Sequence, residues 1–271
     1  MKNINGLNVL EKRDFERFCP SFYAVQPKSD VSDRYSFINT REDIAIPLWN
    51  AGWYPVYARE QRSNKPENRG KTRHVIRWAN KDMVTRVGEE RIELVGVNSH
   101  NRSSAFQFYA GVFRLVCTNG MIVQSANYGS FKVKHMGDIQ EQVQAAITGI
   151  AENANLISDN IETMKAIELT PNEQGIFARA AHSYVYDEPE KAPISADRLL
   201  YARRGADQKP NLWNTFNRVQ ENIIKGGIRG YNRDNRRRVT TRHITSIDKD
   251  VKINRALWQL ADEMKNLKLA A

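Results

Sequence analysis

Between Thr72 and Met136 the chain alternates short, partly apolar segments with polar ones, the pattern of strands that send successive side chains to opposite faces. TRHVIRWA from Thr72, RIELVGVNS from Arg91 and AFQFYAGVFRLVC from Ala105 come first. Thr118, Asn119 and Gly120 then supply a tight turn into MIVQSA, and FKVKHM follows from Phe131. With WYPVYARE from Trp53, these segments predict an antiparallel β-meander. The period then changes. After Gly137 and Asp138, the residues Val143, Ile147, Ile150, Ala154, Ile157, Ile161 and Met164 recur at spacings of four and three, which predicts a long helix with a three-heptad apolar seam. Such a seam serves either packing within the chain or self-association.

Helical signals dominate the remainder. Thr170 and Pro171 open a helix that runs towards Tyr184, and VYDEPEKAPISAD reads as a loop. Asn211 caps a helix carrying Leu212, Phe216, Val219 and Ile223 on one face, ended by Gly226 and Gly227. A last helix from about Asp248 has Ile253, Leu257, Leu260, Met264 and Leu267 in register. Between these two lies a basic loop, IRGYNRDNRRRVTTRH from Ile228. The opening forty residues read as irregular, followed by a short helix capped at Thr40, kinked by Pro47 and ended at Gly52. The fold class expected is α+β, an antiparallel β-meander followed by a long helix and a mainly helical C-terminal part. Residues 1–170 and 171–271 are the expected divisions, or else one continuous domain.

Composition narrows the function classes. With 271 residues, 41% apolar and 27% charged, the chain has the make-up of a soluble globular protein and no apolar stretch of membrane-spanning length. The first residues lack the apolar run of an export signal, so a cytoplasmic location and reduced thiols at Cys19 and Cys117 are expected. The formal net charge is +10, and the excess is concentrated: Arg198 to Arg242 holds twelve Lys or Arg against three acidic residues. That is the electrostatic footprint of a nucleic-acid partner.

Local motifs for catalysis are missing. Gly70, Lys71 and Thr72 resemble the end of a phosphate-binding loop, but Lys65 stands where its first glycine is required. None of the five histidines is spaced as a metal ligand, although His74, His100 and His135 either converge across the sheet or make ordinary sheet hydrogen bonds. No serine or cysteine sits in a nucleophile elbow. No catalytic residue, metal or cofactor is therefore assigned. Three basic or polar clusters remain. Arg236, Arg237 and Arg238, with Arg229, Arg233, Arg242 and Tyr231, form the strongest, since guanidinium groups pair with phosphates and an aromatic offers a base a stacking surface; the alternative is a solubilising loop. Lys71, Arg73 and Arg77 line either a second phosphate strip or a solvated face. Asn98, His100, Arg102, Ser103 and Ser104 form either a phosphate-binding turn or an ordinary polar turn.

Several strings taken together carry a family resemblance: RYSFINT at Arg34, GWYPVYA at Gly52, GKTRHVIR at Gly70, VNSHNRSSAFQ at Val97, FRLVCTNGMIV at Phe113, VKHMGD at Val133, LWNTFNRVQENIIKGG at Leu212 and TRHITSIDKDVKINRALWQLA at Thr241. From about residue 34 to the end, the chain resembles the phage- and plasmid-borne family of unknown function 932. The resemblance implies a mobile-element protein acting in a bacterial cytoplasm, often beside DNA-processing genes, and brings no catalytic residues. By analogy, a meander followed by a long helix is similar to the cores of single-strand annealing proteins. The expected function is nucleic-acid binding, with single-stranded DNA favoured, in recombination or replication, with no membrane partner and a homo-oligomer as one arrangement. An interaction factor that blocks a host defence or replication protein is the alternative, and an enzyme assembled only by folding is a third.

Overall fold

The structure, a computed structural model, describes residues 1–4, 6–28, 37–84, 90–101, 106–114, 120–123, 130–133, 139–232 and 237–270. The chain opens with a small antiparallel hairpin, β1 (Lys2–Ile4) and β2 (Leu7–Val9), then a short helix α1 (Lys12–Phe18). This start is more regular than the sequence suggests, because three-residue strands are too short to display a period. Leu7 and Val9 pack on Ala79 of the sheet, and Phe15 stacks on Phe22 at 3.9 Å, so the hairpin and α1 are both held by apolar contacts. A π-helical turn over 40–45 leads into α2 (Ile46–Asn50). Its cap is Asn39, one residue earlier than expected: the Asn39 side chain accepts from the Arg41 and Glu42 amides, and the Asn39 amide donates to Asp43. Thr40 instead points inward.

The sheet contains β3 (Tyr54–Glu60), β4 (His74–Val84), β5 (Glu90–Asn98), β6 (Phe106–Arg114), β7 (Gly120–Val123) and β8 (Ser130–Val133), all neighbours antiparallel. The meander holds from β3 through β7. β8 does not extend it; it returns to pair with Phe106–Tyr109 of β6, while β7 pairs with Ala110–Phe113. Together β7 and β8 therefore occupy one interrupted edge. Register places Ile76, Trp78, Leu94, Phe106, Phe108 and Val112 on one face, all fully buried. The opposite face carries Arg77, Arg91, Glu93, Val95 and Tyr109.

Next come α3 (Ile139–Ala166), α4 (Pro171–Ser183), α5 (Leu212–Lys225), the hairpin strands β9 (Arg229–Tyr231) and β10 (Arg238–Thr240), and α6 (Ile247–Ala270). The protein is thus α+β with a mainly helical C-terminal part. Two compact units divide within α3, Met1–Asn155 and Leu156–Ala271. Val143, Ile147, Ile157, Ile161 and Met164 of the α3 seam are buried within the chain, so these positions are committed to internal packing.

In the second unit, α4 starts on a full capping box: Thr170 Oγ1 accepts from the Glu173 amide, and Glu173 accepts from the Thr170 amide at 2.7 Å. α5 is the core helix. Every residue from Leu212 to Ile224 is buried, with Trp213, Phe216 and the α6 residue Trp258 forming one aromatic cluster. Its polar side is satisfied internally, as where Gln220 donates to Asn254 of α6 at 2.9 Å. A buried helix of this kind is a rigid base for the segment joined to its C-terminus.

Candidate nucleic-acid interface

The basic segment leaves the C-terminus of α5, and it is a hairpin and not a loop. Gly226 turns the chain with φ +60°, and a Cβ there would meet the Thr241 and Arg242 backbone at 2.6 Å, so only glycine permits this approach. The hairpin base is then closed by Gly227 donating to the Thr241 carbonyl (2.8 Å), Thr241 to that of Ile228 (2.9 Å) and Ile244 to that of Ile224 (2.9 Å). Arg203 locks the turn from the side, donating to Asn222 Oδ1 at 2.8 Å and to the Gly226 carbonyl.

Register pairs Tyr231 with Arg238, Gly230 with Val239 and Arg229 with Thr240. Paired residues share a face, so Arg229, Tyr231, Arg238 and Thr240 stand together on one side, all exposed. Gly230 rests against the segment before Arg198: the Tyr231 amide donates to the Pro193 carbonyl at 2.9 Å, and a Cβ on Gly230 would lie 2.0 Å from the same oxygen. His182 Nε2 in turn donates to the Ile194 carbonyl at 2.9 Å, which ties that segment to α4.

Hairpin and segment enclose an open cleft of about 950 Å³ lined by Arg198, Arg229 and Arg238, with Tyr231, Ser195 and Thr240 beside them. Among the described residues, none that lines the cleft is acidic. Among the described residues, none of the three arginines has an ion pair. Like charges held on one face repel, and a bound polyanion removes that cost. Tyr231 is 57% exposed, an aromatic surface beside the guanidinium groups.

Three other basic residues of this region, Arg204, Arg218 and Lys225, are used internally. Arg204 pairs with Asp207 at 2.8 Å and Glu221 at 2.7 Å, both acids being buried, and Lys225 pairs with Glu221 at 2.7 Å. Arg218 is buried and donates to Gln174 and Thr215. The charge excess therefore includes an inward set packed around α5 and an outward set on and beside the hairpin.

Of the residues nominated from sequence, the hairpin joins Arg229, Tyr231 and Arg238, with Arg237 and Arg242 exposed beside them. Arg233 and Arg236 lie outside the described residues. Sequence reasoning does not find Arg198 and Ser195: they are remote in sequence, and only the Pro193–Tyr231 contact brings them to the hairpin. Lys71 and Arg73 precede β4, so they do not continue a strand face with Arg77. Lys71 Nζ donates to the Pro27 carbonyl at 3.1 Å, and Arg73 is buried. Arg77 is turned onto Glu93, Nε to Oε2 at 2.7 Å, with its guanidinium over the Tyr57 ring at 4.7 Å.

Asn98 and His100 are buried as well and face a polar knot around Thr40, while Arg102, Ser103, Ser104 and His135 lie outside the described residues. His74 Nδ1 faces the Thr72 carbonyl at 3.0 Å and must donate to it. Burial holds this imidazole neutral, its pKa lowered from 6.5 to about 4, so Nε2 accepts from Thr40 Oγ1 at 3.0 Å. His100 Nε2 lies 3.0 Å from the Ser21 carbonyl and therefore carries a proton, which it shares with Thr40 Oγ1 at 3.2 Å. Asn98 Nδ2 donates to the same hydroxyl at 3.0 Å. Thr40 thus gives one hydrogen bond and accepts two, the full capacity of a hydroxyl. His74 and His100 do converge, at a ring separation of 5.1 Å, around the Thr40 hydroxyl.

Among the described residues there is no cluster of His, Cys, Asp or Glu that would hold a metal ion, and no helix is long and apolar enough to cross a membrane. No solved structure matches the chain. Two relatives from Escherichia coli (strain K12), UPF0380 protein YfjQ and UPF0380 protein YafZ, are each 32% identical over 255 residues, covering 94% of this chain and 91% of the relative. The family model described as Domain of unknown function (DUF932) matches residues 27–258, a span that includes the sheet, α5 and the whole hairpin; the chain belongs to that family.

Proposed function

We propose that this protein binds nucleic acid, single-stranded DNA in preference, holding phosphates with Arg198, Arg229 and Arg238 and offering Tyr231 to a base. The observation that carries this reading is the cleft itself: among the described residues, three guanidinium groups without ion pairs, a lining without a carboxylate, and an exposed aromatic ring. Guanidinium forks match phosphate oxygens, and an unpaired base can reach a ring that a stacked duplex cannot. A role in recombination or replication of a phage or plasmid fits, because annealing or protecting a strand requires phosphate contacts and stacking surfaces but no nucleophile.

Fluorescence anisotropy with single-stranded DNA, duplex DNA and RNA of equal length, across a salt series, tests the proposal. Three phosphate contacts on a single strand give a log–log salt slope of about −2, and replacing Arg198, Arg229 and Arg238 together by Ala flattens it. Absence of binding at low salt would overturn the reading and direct attention to an acidic protein surface.

A further inference from the structure

We infer that the anion track does not end in the first cleft but crosses β10 into a second, so that the ligand is an oligonucleotide strand contacting phosphates on both sides of the hairpin, not a mononucleotide. The inference rests on the nucleic-acid reading and specifies its ligand. A second cleft of about 500 Å³ adjoins the first, sharing Pro193, Val239 and Thr240 with it. Among the described residues its cations are Lys191 and Arg242, and neither lines the first cleft.

The strand β10 is therefore a ridge with basic ground on either side. Arg242 is exposed and, among the described residues, has no ion pair. Lys191 pairs with Glu188, but both side chains are about 60% exposed (61% and 59%), so solvent and salt weaken that pair and a phosphate can replace it. Tyr186 completes the second cleft; burial pushes its phenol above the ordinary tyrosine range, leaving it a neutral hydroxyl able to donate. A volume of about 950 Å³ already accommodates a nucleotide-sized ligand, and the adjoining space then takes the next part of the same strand.

The test compares thymidine monophosphate, a dinucleotide and a longer oligothymidylate against three proteins: wild type, Lys191→Ala/Arg242→Ala and Arg229→Ala/Arg238→Ala. All four positions are exposed, and matching melting temperatures confirm that folding is retained. Affinity in the wild type should climb steeply from mononucleotide to oligonucleotide. The Lys191/Arg242 variant should lose about tenfold in oligonucleotide affinity and about 1.4 in salt slope, two contacts at about 0.7 each, with mononucleotide binding unchanged. The Arg229/Arg238 variant should weaken both ligands. If the Lys191/Arg242 variant matches wild type while the Arg229/Arg238 variant loses affinity, the track ends in the first cleft: the inference fails and the nucleic-acid reading stands. If the wild type binds no oligonucleotide at low salt, both fail together.

Discussion

Gly230 lies so close to Pro193 that a side chain of any size would strike its carbonyl oxygen, at 2.0 Å from a Cβ. The contact is what makes the cleft: it brings Arg198 to Arg229 and Arg238, and it fixes β9 by the Tyr231 amide. Gly230→Ala should therefore push β9 off the segment. Because backbone has to move, the cost is about 1–3 kcal/mol, read as a lower denaturant midpoint. The Tyr231 amide should lose protection from hydrogen exchange in the same variant. Gly227→Ala is the control, since nothing lies within 4 Å of its added Cβ; its φ of +79° alone costs about 1 kcal/mol and should leave that amide protected. Equal exchange at Tyr231 in both variants would contradict the contact's role.

Arg77 and Glu93 form a second relationship with a separate consequence. Glu93 is fully buried and also accepts from Arg91 at 2.9 Å, so one carboxylate is shared by two guanidinium groups. Glu93→Gln removes the buried carboxylate that both cations share and should cost about 3–5 kcal/mol. Arg77→Ala should also destabilise the first unit, measured by urea unfolding. Neither change should alter the salt slope of nucleic-acid binding, because Arg77 is already paired. A flattened slope for Arg77→Ala with unchanged stability would place Arg77 in the binding surface after all.

The Thr40 knot predicts a pH dependence. The unfolded chain takes up a proton on His74 near 6.5, and the folded chain only near about 4, so the unfolded state binds more protons between those values. Stability is full above about pH 6.5 and falls as the pH drops through this window, by about 3 kcal/mol at its end. His74→Gln should be less stable at neutral pH but flat across the window. Urea midpoints at several pH values compare the two proteins, and an unchanged slope in the variant would remove His74 as the cause.

How far these relationships could be read from sequence depends on how local they are. The box at Thr170 and Glu173 and the Asn211 cap are contacts within one turn, and each helix begins where its residues predict. The alternation from Thr72 to Arg114 likewise specifies strands. Pairing partners are another matter: β7 and β8 are too short for their pattern to distinguish a continued meander from a shared edge on β6. The hairpin of Arg229 and Arg238 is legible as charge but not as strands, since its fit depends on Pro193. Alternation places Arg77 on the polar side of its strand, yet its partner Glu93 is fixed only by the β4–β5 register. The Thr40 knot, joining residues from four separate segments, leaves no sequence signal beyond scattered histidines.

Tyr231 gives the sharpest test of strand preference. It stands opposite Arg238 on the exposed face of the hairpin, where a ring can stack on an unpaired base while the guanidinium holds the adjoining phosphate. Tyr231→Ala should weaken binding to single-stranded DNA by about 1–3 kcal/mol, the worth of one stacked base, while leaving the salt slope intact because no charge is removed. Tyr231→Phe retains the ring and should bind almost as wild type, which separates stacking from any hydrogen bond of the hydroxyl. Duplex DNA, whose bases are already stacked on each other, should lose little in either variant. Anisotropy with both DNA forms reads all of these at once. Equal losses for single strand and duplex in Tyr231→Ala would mean that the ring supports the hairpin and does not touch a base.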